Sequence, residues 1–272
     1  MGPIGVFDSG YGGLTVFKEI VRKLPQYEYI YFGDNARAPY GSRSFETIYK
    51  YTLECVEHLF RMDCRLVILA CNTASAKALR SIQQQNLSAW SPDHRVLGVI
   101  RPTAEVAGSL TSTGHLGIFA TEGTVKSQSY ILEIDELFPD IQVWQQACPM
   151  WVPLIENNEL DNPGAAYFVE RYVQQLLMQQ PDIDAILLGC THYPLLYPLI
   201  RRHVPAHIQL IAQGELVADS LADYLLRHPD KEAQCRKGAA RTFYTTETPA
   251  VFDEKAALFF GEPVQSRHFE HD

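Results

Sequence analysis

The sequence predicts an α/β protein of two similar doubly wound domains with parallel sheets, related by pseudo-twofold symmetry, with the active site in the interdomain cleft. Three observations predict this fold. Strand-like and helical segments alternate along the chain, two strands end in the same way on a cysteine, and the chain has 272 residues. Such alternation is typical of parallel sheets covered by helices. A single core rarely grows to this length, which favours two domains.

The predicted elements follow one another regularly. Apolar residues spaced by three and four predict helices over 14–24, 44–61 and 164–179. Short aliphatic and β-branched runs predict strands near 3–8, 27–32, 65–70, 95–99, 115–120, 141–145, 184–189, 208–212 and 241–245. We expect the chain to cross into the second domain near Gly98–Pro102 and to return near Gln213-Gly214. The first domain is then discontinuous, residues 1–98 plus 214–272, and the second spans 99–213.

Two segments look like copies of each other. Residues 65–73 read R-L-V-I-L-A-C-N-T and residues 184–192 read D-A-I-L-L-G-C-T-H. In both, a buried strand pattern meets a cysteine, Cys71 or Cys190, and a helix-forming stretch follows. Open α/β sheets bind ligands at the carboxyl ends of their strands, and a helix amino terminus there favours a thiolate. One such cysteine alone would read as a small buried hydrophobe, but the matched pair predicts two thiols across a cleft.

Composition excludes several classes of protein. The formal net charge of −9 argues against a nucleic-acid surface, so an anionic substrate needs local anion sites such as Gly10–Gly13 or Gly41-Ser42. No apolar run is long enough to span a bilayer, and the amino terminus shows no signal-peptide pattern, so we expect a cytoplasmic protein without membrane contact. The six cysteines lack the spacing of a disulfide framework or a zinc site, and no metal cluster is predicted.

The glycine-rich opening has a competing interpretation. Gly10-Tyr11-Gly12-Gly13 follows a strand, and Asp34 lies at about the right distance for a ribose contact, as in dinucleotide-binding turns. However, Thr15 stands where the third glycine should be, and the acidic Asp8 ends the strand where a pyrophosphate would lie. Nucleotide binding is therefore the weaker interpretation.

A set of longer motifs spans most of the chain: F-D-S-G-Y-G-G (7–13), G-D-N-A-R-A-P-Y-G (33–41), A-C-N-T-A-S-A (70–76), A-T-E-G-T-V (120–125), V-P-L-I-E (152–156) and L-G-C-T-H-Y-P-L-L (188–196). With these motifs the chain resembles the glutamate racemases, of the cofactor-independent Asp/Glu racemase superfamily. His192 stands where the aspartate racemases of that superfamily typically carry Glu. One departure is Ala212-Gln213, where the family more often has Asp-Ser; we expect that position to lie away from the two thiols.

The resemblance implies a two-base inversion of L- and D-glutamate without a cofactor, supplying D-glutamate for peptidoglycan. Cys71 and Cys190 would be the bases, Asp8 the partner of the first thiol, and Glu156 and His192 the partners of the second. From the residues alone, Asp8 would be a turn cap, His192 a helix-start histidine and Glu156 a solvated loop carboxylate. The resemblance also implies a substrate-binding set of Ser9, Pro39, Tyr40, Gly41, Ser42, Asn72, Thr73, Thr121, Thr124 and Thr191, in which Tyr40 has packing as an alternative role.

Two other functions stay open at this point. A racemase for aspartate or another amino acid is the close alternative, and a non-catalytic small-ligand binding protein, which would need neither thiol, is the distant one. Glutamate is the expected small-molecule partner. A second copy of the chain, in a homodimer, is the one macromolecular partner that the prediction leaves open.

Overall fold

The computed structural model describes residues 1–270 and contains two separate parallel sheets. The strands of the described chain are β1 Ile4–Asp8, β2 Tyr29–Gly33, β3 Leu66–Leu69, β4 Arg95–Gly98, β5 His115–Ala120, β6 Gln142–Ala147, β7 Ala185–Leu188, β8 Gln209–Ala212, β9 Arg241–Thr245 and β10 Ser266–His268. All nine predicted strands are present. The tenth, β10, was not predicted, because its three residues are polar and largely exposed at a sheet edge.

The second sheet repeats the strand order of the first. The six-stranded sheet has the order β10-β9-β2-β1-β3-β4, and the four-stranded sheet has the order β6-β5-β7-β8. The last four strands of the first order, β2-β1-β3-β4, correspond one by one to β6-β5-β7-β8. Every strand pair in both sheets is parallel. The predicted α/β fold with two parallel sheets is therefore confirmed. Cys71 follows β3 and Cys190 follows β7, so the two cysteines stand at equivalent places in the two sheets.

Helices cover the sheets and connect successive parallel strands. The α-helices are α1 Gly13–Lys23, α2 Phe45–Arg61, α3 Asn72–Lys77, α4 Leu79–Ser81, α5 Leu87–Trp90, α6 Ile100–Glu105, α7 Ala107–Leu110, α8 Glu122–Ser127, α9 Ser129–Leu137, α10 Trp151–Glu156, α11 Pro163–Gln179, α12 Tyr197–His203, α13 Gln213–Arg227, α14 Pro229–Glu232 and α15 Pro249–Phe260. Two 3₁₀ segments (Asn35–Arg37, Tyr193–Leu196) and a π-helical segment (Ile82–Asn86) complete the set. The three predicted helices match α1, α2 and α11 to within a residue.

Apolar side chains explain how the helices pack on the sheets. The central strands β1, β3 and β7 are buried along their whole length, as expected for strands covered by helices on both faces. Around Phe17 of α1, rings from β2, β9 and α15 form a continuous aromatic cluster. Among residues 1–270, no helix is both long and apolar enough to span a membrane.

The chain passes between the sheets at two places. The strands of the four-stranded sheet lie between residues 115 and 212, while those of the six-stranded sheet lie at 4–98 and 241–268. The division into domains 1–98 plus 214–272 and 99–213 stays a prediction, and its last two residues lie outside the described part of the chain. The two crossings, after β4 and after β8, meet at Val99 and Gln213, whose side-chain amide donates to the Val99 carbonyl.

Candidate active site

A cavity of about 200 Å³ lies where the carboxyl ends of strands from both sheets meet. Asp8 ends β1, Cys71 follows β3, Thr121 follows β5 and Cys190 follows β7, and all four line it. The sequence pattern predicts this convergence, because parallel strands of one sheet bring their next residues together at a shared edge, and two similar halves place the two edges across one cleft. The lining consists of Asp8, Ser9, Gly10, Ala38, Pro39, Tyr40, Gly41, Ser42, Cys71, Asn72, Thr73, Thr121, Glu122, Cys148, Pro149, Val152, Pro153, Glu156, Cys190, Thr191 and His192.

The Cys71 thiol is held at the start of α3. Its Sγ accepts from the backbone N–H of Ala74 and lies 3.4 Å from Ser9 Oγ. Burial, followed by the nearby charge of Asp8, raises the pKa of Cys71 to about 12, although the bonds from Ser9 and Ala74 act in the opposite direction. The expectation that the helix start favours a thiolate here is therefore wrong for the structure as it stands. Burial and a carboxylate neighbour outweigh one short helix, and Cys71 is a neutral thiol near pH 7.

Asp8 lies beside Cys71 at the end of β1. Oδ2 accepts from the backbone N–H of Gly10 at 2.8 Å, while the buried Oδ1 has no hydrogen-bond partner among the described residues. Burial raises the pKa of Asp8, and the charge of His192 and the backbone N–H groups of Gly13 and Gly10 only partly offset this. The turn-cap role is thus real for one oxygen, and the other remains able to accept a proton or a hydrogen bond.

The second thiol belongs to a three-residue chain of contacts. Cys190 Sγ lies 3.9 Å from His192 Nδ1, and His192 Nε2 lies 2.9 Å from Glu156 Oε1. Burial by itself lowers the pKa of His192, but the hydrogen bonds with Cys190 and Glu156 and the charges of both groups outweigh it and raise this pKa to about 10. His192 is therefore an imidazolium near neutral pH, in contact with a thiol on one side and a carboxylate on the other.

The helix expected directly after Cys190 is absent. The segment Tyr193–Leu196 forms a 3₁₀ turn, and α12 begins only at Tyr197. Pro198 explains the interruption, because an α-helix continued from Cys190 would need an N–H at that position, whereas Pro194 would lie in the first turn, where the N–H makes no intrahelical bond. The polar neighbour of Cys190 is thus His192 rather than an α-helix amino terminus.

The dinucleotide interpretation of the opening turn is wrong. Asp34, its candidate ribose ligand, is fully buried and accepts hydrogen bonds from Tyr40, Arg37 and Thr246. The glycines serve the thiol partners instead: a β-carbon on Gly13 would lie 2.5 Å from Asp8 Cβ. Tyr40 is packed, with its hydroxyl donating to Asp34, and it also lines the cavity, so its predicted contact with a substrate stays a prediction.

Hydroxyl groups connect the two sheets across the cavity. Thr73 Oγ1 lies 3.0 Å from Thr121 Oγ1, and Thr121 caps α8 by accepting from the Thr124 N–H. Fourteen of the fifteen predicted site residues line the cavity. The exception is Thr124, which is fully buried behind Thr121 and bonded to its hydroxyl. The geometry gives Thr124 contact with Thr121 rather than with a ligand.

Gln213 lies closer to the site than the sequence suggested. Its Oε1 accepts from the Asn72 side chain at 2.8 Å, one residue after Cys71. The expectation that this position is remote from the thiols is wrong, because a long amide side chain at the start of α13 reaches between the sheets.

Sequence reasoning also missed a wall of the cavity. Cys148, Pro149, Val152 and Pro153 line it, and Cys148 follows β6 at the same edge as the other site residues. The signal was the position after a predicted strand, which the absence of a motif around Cys148 concealed. Within residues 1–270, no group of three or more His, Cys, Asp or Glu side chains is arranged to hold a metal ion.

Known proteins are similar in sequence to this chain along nearly its whole length. Residues 4–221 match the family model described as Asp/Glu/Hydantoin racemase. A glutamate racemase of Geobacter metallireducens is 40% identical over 258 residues, which cover 95% of this chain and 92% of the relative. A glutamate racemase of Bacillus cereus is 38% identical over 263 residues, which cover 97% of this chain and 94% of the relative.

Solved structures share the fold to the same extent. A glutamate racemase isoform from Bacillus anthracis superimposes with a TM-score of 0.89 at 32% identity, covering 99% of this chain and 97% of the other. The enzyme from Francisella tularensis in complex with D-glutamate gives a TM-score of 0.86 at 29% identity, with the same coverage of both chains. An aspartate racemase of Picrophilus torridus, 18% identical with a TM-score of 0.54, shares the fold alone.

Proposed function

This chain belongs to the Asp/Glu racemase family and is an amino-acid racemase, and we propose that it interconverts L- and D-glutamate with Cys71 and Cys190 as the two bases. One observation carries the mechanism. Equivalent strands of two sheets deliver one thiol each to a single cavity, and each thiol has its own acid–base partner. Glutamate is the substrate named for the relatives that match nearly the whole chain, one of them in complex with D-glutamate.

Cys190 is the base that takes the α-proton from L-glutamate, following the family resemblance. A protonated imidazole stabilises an adjacent thiolate, so the His192 imidazolium supports Cys190 in the basic form. Glu156 fixes the ring from its other side and balances its charge. The α-carbon to hydrogen bond breaks, its electron pair stays on the α-carbon, and the proton moves to Cys190 Sγ.

Cys71 is the acid that completes the same turnover. As a neutral thiol it holds a proton to deliver to the opposite face of the planar intermediate, which forms the new bond to hydrogen. Cys190 ends as a thiol and Cys71 as a thiolate, so the sum of charges is unchanged. The reverse reaction starts from this second state, and Asp8 Oδ1, which has no hydrogen-bond partner among the described residues, can relay the proton that resets Cys71.

The negative net charge of the chain does not attract an anionic substrate, so hydrogen-bond donors within the cavity must bind the substrate carboxylates. The cavity offers the hydroxyls of Ser9, Ser42, Thr73, Thr121 and Thr191 and the amide of Asn72. Asp8 lines the cavity, and its Oδ1, which has no hydrogen-bond partner among the described residues, is an acceptor for the substrate ammonium group. No cofactor enters this mechanism, since both proton transfers use protein thiols.

The product D-glutamate would serve peptidoglycan synthesis, as the resemblance implies. A cytoplasmic location fits the thiol chemistry, because all six cysteines are free and a reducing compartment keeps them so. The oligomeric state is left open by the sequence, and light scattering of the purified protein tests for a homodimer.

Deuterium incorporation tests the mechanism directly. Purified protein is given L-glutamate, D-glutamate or L-aspartate without added cofactor, and optical rotation reports racemisation. With L-glutamate in deuterium oxide, the D-glutamate formed early should carry deuterium at the α-carbon almost completely, while unreacted L-glutamate should carry little. Protium retained in much of the early D-glutamate would indicate one mobile base and reject the two-thiol mechanism. Aspartate turnover as efficient as that of glutamate would favour the alternative substrate.

A further inference from the structure

Gln213 belongs to a closed ring of buried hydrogen bonds behind the cavity. Asn72 Nδ2 donates to Gln213 Oε1 at 2.8 Å, Gln213 Nε2 donates to the Tyr130 hydroxyl at 2.6 Å, and that hydroxyl donates to Asn72 Oδ1 at 2.7 Å. All three residues are at most 3% exposed. The ring joins α3 beside the first sheet, α9 beside the second sheet and the start of α13 at the chain crossing.

The backbone fixes the direction of every bond in this ring. The Val99 carbonyl can only accept, and it receives Gln213 Nε2 and the Thr103 hydroxyl. With its proton directed to Val99, Thr103 Oγ1 accepts from Gln213 Nε2 at 2.9 Å. The nitrogen of the Gln213 amide must therefore face Val99, and its oxygen must face Asn72. Asn72 is in turn obliged to present its nitrogen to Gln213 and its oxygen to Tyr130.

This orientation leaves Asn72 with one unused side-chain donor. Of the two Nδ2 hydrogens, one goes to Gln213, and the other has no acceptor among the described residues, on a side chain that lines the cavity. Without Gln213, the carboxamide could rotate by half a turn and expose its oxygen to the cavity. An oxygen there would repel a substrate carboxylate that a nitrogen would bind.

We propose that Gln213 is a positioning residue for the racemase: it fixes the Asn72 carboxamide so that the free N–H binds a carboxylate of the substrate. The inference rests on the proposed function for its substrate, but not for the ring of hydrogen bonds itself. Gln213 acts only through Asn72, since Gln213 does not line the cavity.

Kinetics and the side-chain amide signal of Asn72 test the proposal together. Gln213→Leu should raise KM for L-glutamate by about tenfold or more and leave kcat within about threefold, which is the loss of one hydrogen bond to a charged group. In protein labelled with ¹⁵N-asparagine, the Asn72 carboxamide protons should exchange slowly in the wild type and lose that protection in Gln213→Leu. The signal is assigned by its disappearance in Asn72→Ala.

Thr103→Val is the matched control. It removes one acceptor of Gln213 Nε2, but Val99 and Tyr130 still orient the amide, so KM and the Asn72 signal should stay near wild-type values. If Gln213→Leu does not fold, Gln213→Met, which keeps the length of the side chain and removes both polar atoms that hold the ring, should give the same rise in KM. In an Asn72→Ala background, neither substitution should raise KM further.

Each failure has its own meaning. A wild-type protein that does not racemise glutamate defeats the proposed function, whatever the Asn72 signal shows. If the wild type is active, a Gln213→Leu protein with reduced thermal stability, unchanged KM and a protected Asn72 amide overturns the positioning role alone. A further KM increase in the Asn72→Ala background would also overturn it, because Gln213 would then act by another route.

Discussion

The imidazole of His192 lies directly against the backbone of Gly12: a β-carbon on Gly12 would come within 2.3 Å of His192 Nδ1. The backbone of Gly12 has φ −56° and ψ −40°, angles that any residue adopts. Glycine is therefore needed here for space rather than for conformation. The glycine-rich turn at the start of α1 allows the partner of Cys190 to pack onto the helix start.

Gly12→Ala should displace His192 and lower activity. We expect kcat to fall by about 10-fold or more, because an imidazole moved by a fraction of an ångström loses its alignment with Cys190. Overpacking should also destabilise the fold by about 1–3 kcal/mol. Steady-state kinetics and urea unfolding measure the two effects. Thr191 Oγ1 would lie 2.5 Å from the same β-carbon, so the control background is Thr191→Ala with His192→Ala, in which Gly12→Ala should cost less stability than in Thr191→Ala alone; an equal cost in both backgrounds would contradict the His192 contact.

Much of the fold and the site follows from local sequence pattern. The runs before Cys71 and Cys190 predict two buried strands, and the rule that parallel strands share a carboxyl edge brings Cys71 together with Asp8 in one sheet and Cys190 together with Thr121 in the other. The similarity of the two halves then predicts that the two thiols lie across one cleft. These inferences succeed because each depends on a few adjacent residues and on the geometry of one sheet.

Contacts between distant side chains could not be predicted in this way. The bond from His192 to Glu156 joins the residue before a 3₁₀ segment to the end of α10, and only the family resemblance pointed to it. The sequence around Gln213 does not indicate that its side-chain amide reaches Asn72, so this residue was expected to be remote from the site. The raised pKa of Cys71 was not predicted either, since burial and the charge of Asp8 depend on the packed structure and oppose the local helix effect.

Stability should fall with rising pH through His192. The pKa of His192 is about 10 in the folded protein, above its ordinary value near 6.5 in an unfolded chain. Between these values the folded state binds more protons than the unfolded state, so the free energy of unfolding decreases as pH rises. The contribution is complete below about pH 6.5 and is lost as pH passes through about 10.

Urea unfolding at several pH values between 7 and 9.5 measures this contribution. His192→Asn should show a flatter decrease than the wild type over that range. His94→Asn is the control: burial lowers the pKa of His94, so its proton is already lost at pH 7 and its removal should leave the slope unchanged. Equal slopes for the wild type and His192→Asn would argue against a charged His192.

Both cysteines should be indispensable. Cys71→Ala and Cys190→Ala should each reduce racemisation by at least about 10³-fold, because each removes the base or acid on one face of the substrate. Circular dichroism should show that both variants keep the fold, since each loses a single small side chain. Cys235→Ser provides the comparison: Cys235 is also buried but does not line the cavity, and its variant should keep its activity. Substantial turnover by either alanine variant would defeat the assignment.

The partners of the two thiols should be separable by isotope effects. Asp8→Asn and Glu156→Gln should each slow turnover by about 10²-fold, a typical value for one acid–base partner. The two enantiomers have equal free energy, so kcat/KM must be equal in both directions for every variant. Comparing the two directions in unlabelled substrate therefore cannot identify which proton transfer is slow.

Substrate deuterated at the α-carbon identifies which proton transfer is slow. If Asp8 serves Cys71, Asp8→Asn makes the transfer at Cys71 rate-limiting, and a full primary isotope effect on kcat/KM should appear with deuterated D-glutamate but not with deuterated L-glutamate. If Glu156 serves Cys190 through His192, Glu156→Gln should show the reverse pattern. Each variant is thus the control for the other. Isotope effects of equal size with both enantiomers in both variants would mean that the partners are shared, and that the separate environments of Cys71 and Cys190 do not divide the chemistry between them.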